Sequence, residues 1–492
     1  MTSILLAHVF TRAEQTAFAR LSGDGNAIHL DPLRARRELF GRNILHGLHG
    51  ALRAIEAFLT ERFNADAAPI RLTRVRARFN APVFLGEKIH VVLVKHEALS
   101  AQLELRNREQ TLYEIDVTWA PGAPDPDRAT LASPAPTSAP HNRRLDELAG
   151  RSADLALGID AAAFREAFPR VAASTSVTHQ AGYLGVTRLV GLESPGQQSL
   201  LSLFDLTASA QAPADRLSYN VETADARFSL VRMQVSGGGL EGRVEAFYRP
   251  LPVEQAAFAM ARTHVAEDAF RDVRALVVGG SRGLGEVAAK LLAAGGAEVV
   301  VTYRALREDA ERVVRDICAG GGRATVLRWN ALRPEQSAEA LARLGAPTHL
   351  LYFATPRMTP RRQPHFSGAT LRAMNALYVD GLVRTYRACR ALTDRQLTLF
   401  FPSVQWLEQP ARGTAESAAA KAAGEAACRS LAAIDRKLRV VVRRLPRLYT
   451  DQSQSLTPLP AEDPLPVLAT ALRELTAIWR SEERRVGKEC RS

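Results

Sequence analysis

The sequence predicts a multidomain chain: an α+β half followed by an α/β half built on a doubly wound parallel sheet. Three observations carry this. Residues 1–120 set one amphipathic helix ahead of several alternating strand patterns, and residues 148–252 repeat that order. Between them, PGAPDPDRATLASPAPTSAP (121–140) replaces apolar periodicity with Pro, Ala and small polar residues, the composition of a linker. From residue 274, RALVVGGSRGLGEVAAKLLAAGGAEVVVTYR gives a buried strand, a glycine-rich turn, a helix and a second buried strand. The implied units are 1–120, a linker over 121–147, a second α+β unit over 148–252, a helical connector over 253–273 and the α/β unit over 274–480.

In chain order, Ile44–Phe63 places Ile44, Leu48, Ala51, Leu52, Ile55 and Leu59 at three- and four-residue intervals, which predicts a helix with one apolar face. IRLTRVRARFNAPV, EKIHVVLVKHE, AQLELRNRE and LYEIDVTWA then alternate and are separated by turn residues, as strands of an antiparallel sheet do. The middle unit offers a helix-like YLGVTRLVGLESPG, then SLLSLFDLTA, LSYNVETADARFSLVRMQVSG and GLEGRVEAFYRP as strands. EQAAFAMARTHVAEDAF reads as the helical connector, and LPVLATALRELTAIW as a terminal helix. The closing SEERRVGKECRS (481–492) is charged and patternless and reads as a non-native tail, so it is set aside from the fold.

Composition narrows the function classes. The 492 residues are 46% hydrophobic and 24% charged, which excludes a disordered or collagen-like chain. No apolar stretch approaches the roughly 20 residues that span a bilayer, and the start lacks a signal peptide, so a cytoplasmic protein without membrane partners is expected. Four cysteines, Cys318, Cys389, Cys428 and Cys490, form no CxxC pair and have no nearby His set, so neither disulfides nor a metal site is indicated. The net charge of +12 is concentrated in residues 271–480, with 31 basic against 19 acidic side chains. Only six of the 64 basic residues are Lys, so this is an arginine-rich surface and not a nucleic-acid signature. Such a surface would steer anionic partners such as CoA, NADPH or an acidic carrier protein.

Ahead of the first helix stands LSGDGNAIHLDP, with Asp24, Asn26 and His29, followed by ILHGLHG with His46 and Gly47. Taken singly, Asp24 would serve equally as a turn or cap residue, and either His as a packed side chain. Together with FNAPVFLGEKI further on, the order of these elements resembles the MaoC-like, R-specific enoyl-thioester hydratases. Their hot-dog fold carries DxNxxH before the central helix and HG at its start. Here Ala27 stands where the family usually has Pro. The resemblance covers roughly residues 8–120 and implies that Asp24 and His29 bind the catalytic water, with Asn26 as an orienting residue. It further implies that the Gly47 N–H polarises the thioester oxygen. The residue types suit that chemistry: adding water across a double bond conjugated to a thioester needs a base, a donor for the α carbon and an oxyanion site. The middle unit lacks DxNxxH, which predicts a silent second hot-dog whose His179 is structural and whose body shapes the acyl site.

In the third unit Gly279, Gly283 and Gly285 match GxxxGxG between strand and helix, a spacing similar to the short-chain dehydrogenase/reductases with their Rossmann fold. The resemblance implies NADP(H) held by Gly279, Ser281, Arg282, Gly283, Leu284 and Gly285. Arg282 and Arg304 favour a 2′-phosphate, and Asn330 lies where the family has an Asp near the adenine. Catalysis in that family uses Ser, Tyr and Lys. Ser403 and Lys421 align, but Ser417 stands at the Tyr position, the usual NNAG reads Tyr352, Phe353, Ala354, Thr355, and the supporting Asn is Tyr378. Weak or absent carbonyl reduction is therefore expected, with Tyr378 as the candidate substitute acid, and Ser417→Tyr is expected to raise it.

The combined expectation is a cytoplasmic homo-oligomer that hydrates 2-enoyl or dehydrates 3-hydroxyacyl thioesters of CoA or acyl carrier protein, fused to a reductase-like unit. A hydratase with a silent nucleotide-binding unit and a non-catalytic acyl-thioester-binding module are the rival readings.

Overall fold

The computed structural model describes residues 3–63, 68–133, 139–356, 366–410, 413–456 and 459–475. The expected tail at 481–492 and the end of the terminal helix lie outside them; that helix is described over 464–475. Two compact units emerge, Met1–Pro252 with Ser455–Pro458, and Val253–Gln454 with Leu459–Ser492.

The first unit is organised by one antiparallel sheet. Its strands are β1 (Ser3–Val9), β2 (Ile70–Phe79), β3 (Lys88–His96), β4 (Ser100–Arg106), β5 (Thr111–Pro121), β6 (Ser152–Ala156), β7 (Ser199–Ala208), β8 (Arg216–Asp225), β9 (Leu230–Gly237) and β10 (Leu240–Tyr248). Their order across the sheet is β1-β3-β4-β5-β2-β7-β10-β9-β8-β6. Reading outward from the centre, β2-β5-β4-β3-β1 has its counterpart in β7-β10-β9-β8-β6, so the two halves share one topology. They are joined by pairing of Arg74 with Thr207 through Arg78 with Leu203. Alternation decides which face is buried. In β5, Ile115, Val117 and Trp119 point inward and Glu114, Asp116 and Thr118 outward.

Two helices cover the inner face. Gly47–Arg62 contributes Leu48, Leu52, Ile55 and Leu59, each at most 2% exposed, and Val177–Arg188 contributes Ala181, Leu184 and Val186 to the same core. Burying each large aliphatic side chain is worth about 1.5–3 kcal/mol, so this stripe fixes where the first helix sits and where its N-terminus points.

Several expectations change. The first helix starts at Gly47 and not Ile44, because Ile44 bridges Phe84 and Leu45 donates its N–H to Val83, which holds both residues extended. The edge strand β1 carried no clear alternating signal. LSYNVETADARFSLVRMQVSG folds as the hairpin β8–β9, turning where Asp225 Oδ1 accepts the Arg227 N–H and Ser229 adopts φ 50°. The second long helix begins at Val177, capped by the Ser176 hydroxyl, six residues before the expected run. The helical connector shrinks to Phe258–Arg262: the Thr263 hydroxyl and His264 Nδ1 both bond the Met260 carbonyl, a local competition that ends the helix.

The second unit has a parallel sheet of β11 (Arg274–Val278), β12 (Glu298–Tyr303), β13 (Arg323–Arg328), β14 (His349–Tyr352), β15 (Leu397–Val404) and β16 (Leu438–Leu445). The order is β13-β12-β11-β14-β15-β16, parallel at every pairing. β15 reads Leu-Thr-Leu-Phe-Phe-Pro-Ser-Val and is buried along nearly its whole length, as a central parallel strand must be. The order in which strands are added reverses between β11 and β14, the place where such sheets open a crevice at the strands' carboxyl ends.

Candidate active site

The loop from Gly23 to Asn26 leaves the helix Arg12–Ser22 through Gly23, whose φ of 73° places it in the left-handed region that Gly tolerates. Asn26 caps the short helix Ala27–Leu30, its Oδ1 accepting the Ile28 N–H at 3.3 Å. That short helix carries His29 back over His46, whose ring it stacks on with centroids 3.8 Å apart. Asp24, His29 and His46 thus converge, each offering an oxygen or nitrogen within 4.8 Å of the other two.

Hydrogen bonds fix each group's role. His29 Nδ1 lies 3.0 Å from the Ile44 carbonyl, which can only accept, so Nδ1 carries the proton and Nε2 keeps its lone pair. His46 Nε2 likewise donates to the Asp24 carbonyl at 3.1 Å and lies 3.6 Å from Asp24 Oδ2. The carboxylate is gripped on both oxygens: Oδ1 accepts the Asn26 N–H at 3.0 Å and Oδ2 the Thr187 hydroxyl at 3.0 Å.

Electrostatics follow from burial. Asp24 is 2% exposed, and desolvation raises its carboxyl above the ordinary value against the opposing hydrogen bonds of the Asn26 N–H and Thr187 and the charge of Arg188. Burial lowers the His29 and His46 imidazoles to about 3, with His46 adding to the effect on His29. Both rings are therefore neutral at physiological pH, and His29 is equipped to accept a hydrogen.

Gly47 opens the long helix, and its cap residue His46 makes no side-chain bond to the helix N-terminus. The first N–H groups of a helix have no internal partner, so this end favours negative charge. Gly is also required by packing: a Cβ at 47 would stand 2.9 Å from Phe79 Cε1. In the second half, the matching helix end is closed. Ser176 takes the His179 N–H, and Asp127 Oδ1, from the linker, takes the Thr178 N–H at 3.1 Å. A carboxylate thus sits at the first turn of that helix, and His179 packs against Gly239.

The second half nevertheless enters the first site. Asn26 Nδ2 donates to the carbonyls of Gly191 at 3.0 Å and Gly196 at 3.2 Å, and Gly191 backs directly onto Asp24. Sequence reasoning missed Thr187 and Gly191, 163 and 167 positions from Asp24, for which no local pattern could signal contact. His46 was visible only as part of the HG pair.

Residues 6–117 match the MaoC like domain family. This segment is a MaoC-like domain. Two curated proteins are also similar to this chain over part of its length. Peroxisomal multifunctional enzyme type 2 of Drosophila melanogaster is 39% identical over 85 residues, covering 17% of this chain and 14% of that protein. The 3-hydroxyacyl-thioester dehydratase Y of Mycobacterium tuberculosis is 41% identical over 88 residues, 18% of this chain and 30% of that one. The chain thus spans less than a third of the length of either relative. Among solved structures, a short chain dehydrogenase from Burkholderia cenocepacia in complex with NADP is 23% identical, covering 42% of this chain and 90% of its own, with a TM-score of 0.37.

In the second unit the glycine turn is tightly built. Gly279 has φ 81°, and a Cβ there would meet Ala354 N and Phe353 C at 3.0 Å; one on Gly285 would lie 2.2 Å from the Gly279 carbonyl oxygen. The helix Gly283–Ala294 starts without a side-chain cap, Ser281 is buried, and Leu284 is partly exposed at its first turn. Arg282 lies 3.9 Å from Asp451, Arg304 is exposed just past β12, and Asn330 Oδ1 takes the Leu332 N–H at 3.1 Å.

At the ends of β14 and β15, Ser403 is buried beside Glu425, while Lys421 donates to the Pro402 carbonyl at 2.6 Å. Burial lowers the Lys421 amine to about 7. Its Nζ stands 4.2 Å from the centre of the Tyr378 ring, and the Tyr378 hydroxyl bonds Thr355 at 2.5 Å and also Ser417. Tyr378, Ser417 and Lys421 thus come together, with Ser403 facing Glu425. Tyr352 is spent on the Leu377 carbonyl.

Proposed function

We propose that this chain is an enoyl-thioester hydratase or 3-hydroxyacyl-thioester dehydratase working through Asp24 and His29, on a double hot-dog whose second half is silent. The observation that carries the reading is the meeting of a buried Asp24 with a half-buried, tautomer-fixed, neutral His29 beside an uncapped helix N-terminus at Gly47.

A water donating one hydrogen to Asp24 and the other to His29 Nε2 presents its lone pair to C3 of the enoyl group. As the oxygen–C3 bond forms, one proton passes to this pair. The electrons of the C2=C3 bond move into an enolate whose oxygen faces the Gly47 N–H, and the pair returns a proton to C2. The elements of water are added with nothing left over, and dehydration is the reverse. CoA or acyl carrier protein thioesters are the substrate class, in a cytoplasmic homo-oligomer. Asp24→Asn and His29→Ala should each lower kcat for a short 2-enoyl thioester by about 10² or more with unchanged folding. Undiminished turnover in both would place the chemistry elsewhere.

The second unit fits a dinucleotide, because the backbone cradle at Gly279 and Gly285 leaves no room for a Cβ and the helix end behind it is uncapped. NADP(H) would be held there by Gly279, Ser281, Arg282, Gly283, Leu284 and Gly285, with Arg304 at the 2′-phosphate and Asn330 toward the adenine. The cofactor would supply hydride for 3-oxoacyl reduction beside Ser403, Lys421 and Tyr378. A silent nucleotide-binding unit is favoured by one observation: the Tyr378 hydroxyl is buried and bound to Thr355 and Ser417. NADPH consumption with a 3-oxoacyl thioester separates the two, and Arg304→Asp should erase any preference for NADPH over NADH.

A further inference from the structure

Resting on the hydratase reading, we propose that Thr187, carried by the half of the sheet that lacks the acid–base motif, is a positioning residue for Asp24. Its hydroxyl donates to Asp24 Oδ2 at 3.0 Å with both residues almost wholly buried. A helical threonine ordinarily satisfies its hydroxyl within its own helix or in water. Here, in the last turn of Val177–Arg188, it is spent on a carboxylate 163 positions away.

The consequence is geometric first. With the Asn26 N–H on Oδ1 and Thr187 on Oδ2, the carboxylate plane cannot turn, and its remaining lone pairs keep one direction for a water molecule. The second consequence is charge. Burial disfavours the carboxylate, whereas a donated hydrogen bond favours it, so Thr187 helps to keep Asp24 ionised. The titratable groups facing Asp24 are His29 from the short helix, His46 from the cap of the long helix and Arg188 beside Thr187. Arg249 acts on His29, and Glu193 on Arg188. Both imidazoles are neutral, which leaves Thr187 and the Asn26 N–H as the fixed donors to the carboxylate. The half without DxNxxH is thereby a working part of the site.

The test is hydration of a 2-enoyl thioester by the full chain from pH 5 to 9, comparing parent, Thr187→Val, Thr187→Ser and Asp24→Asn. Valine keeps the shape and removes the donor; serine keeps the donor. In Thr187→Val, kcat/KM at pH 7 should fall about tenfold or more, and the acid limb should move up by about one pH unit. Thr187→Ser should follow the parent within about threefold. Superimposable parent and Thr187→Val profiles overturn the proposal, as does a loss that lowers rate at every pH equally without moving the limb. If Asp24→Asn retains full activity, or the parent is inert, the hydratase reading itself fails and takes the proposal with it.

Discussion

Gly191→Ala offers a test of the composite site that alters no charge and removes no hydrogen-bonding group. A Cβ at position 191 would lie 2.4 Å from Asp24 Oδ1 and 2.5 Å from both Cγ and Oδ2. Ordinary carbon contacts begin near 3.4 Å, so about 1 Å of movement is forced. Asp24 is too short to absorb this by bending at its tip, and both its oxygens are already committed to Asn26 and Thr187. The carboxylate must leave its position relative to His29, and a displacement of about 1 Å from reacting geometry costs on the order of 10² in rate. Steady-state kinetics with a 2-enoyl thioester should therefore show kcat down about a hundredfold, approaching Asp24→Asn. The thermal unfolding midpoint of the purified variant reports whether the unit remains folded. Parent-like kcat in a folded Gly191→Ala protein would refute the claim that this backbone seats the carboxylate proposed to act on water.

Asn26→Ala should be costly to stability as well as activity, because the amide bonds buried carbonyls at Gly191 and Gly196 and caps a helix; about 1–3 kcal/mol is expected from denaturant midpoints. Acid should weaken the first unit: burial lowers His29 and His46 to about 3, so the unfolded chain, near 6.5, takes up protons first. Their stabilising contribution is complete above about pH 6.5 and is lost as pH falls toward 3, while Asp24, raised in the fold, acts in the opposite sense at the acid end. Unfolding midpoints between pH 7 and 4.5 should fall less steeply in His46→Gln than in the parent, and equal slopes would contradict the burial argument. Because Ser417 is hydrogen-bonded by the Tyr378 hydroxyl, a phenol at 417 meets Tyr378. Ser417→Tyr alone should lower the melting temperature without gain of NADPH-dependent reduction, in contrast to the sequence expectation, whereas Ser417→Tyr with Tyr378→Asn should raise it.

The sequence by itself carried what is written locally. Alternation in β2 to β5, the apolar stripe from Leu48 to Leu59 and the ordered DGNAIH and HG elements are all short-range, since strand and helix periodicity and loop motifs span fewer than about twenty residues. The same holds for the glycine turn at 279–285, where lack of space for a Cβ dictates residue type. Local pattern failed where backbone pairing from elsewhere intervened. Phe84 and Val83 held Ile44 and Leu45 extended, and Ser229 turned an apparent single strand into a hairpin. Only the tertiary structure could decide what closes each site. Thr187 and Gly191 reach Asp24 because β2 pairs with β7 and brings the two halves' helices together over one sheet. Asp127 fills the second helix end through a chain segment whose composition announced only a linker. Tyr378 and Ser417 meet across 39 positions of sequence, and hydrogen bonds of that range depend on packing that no single stretch encodes.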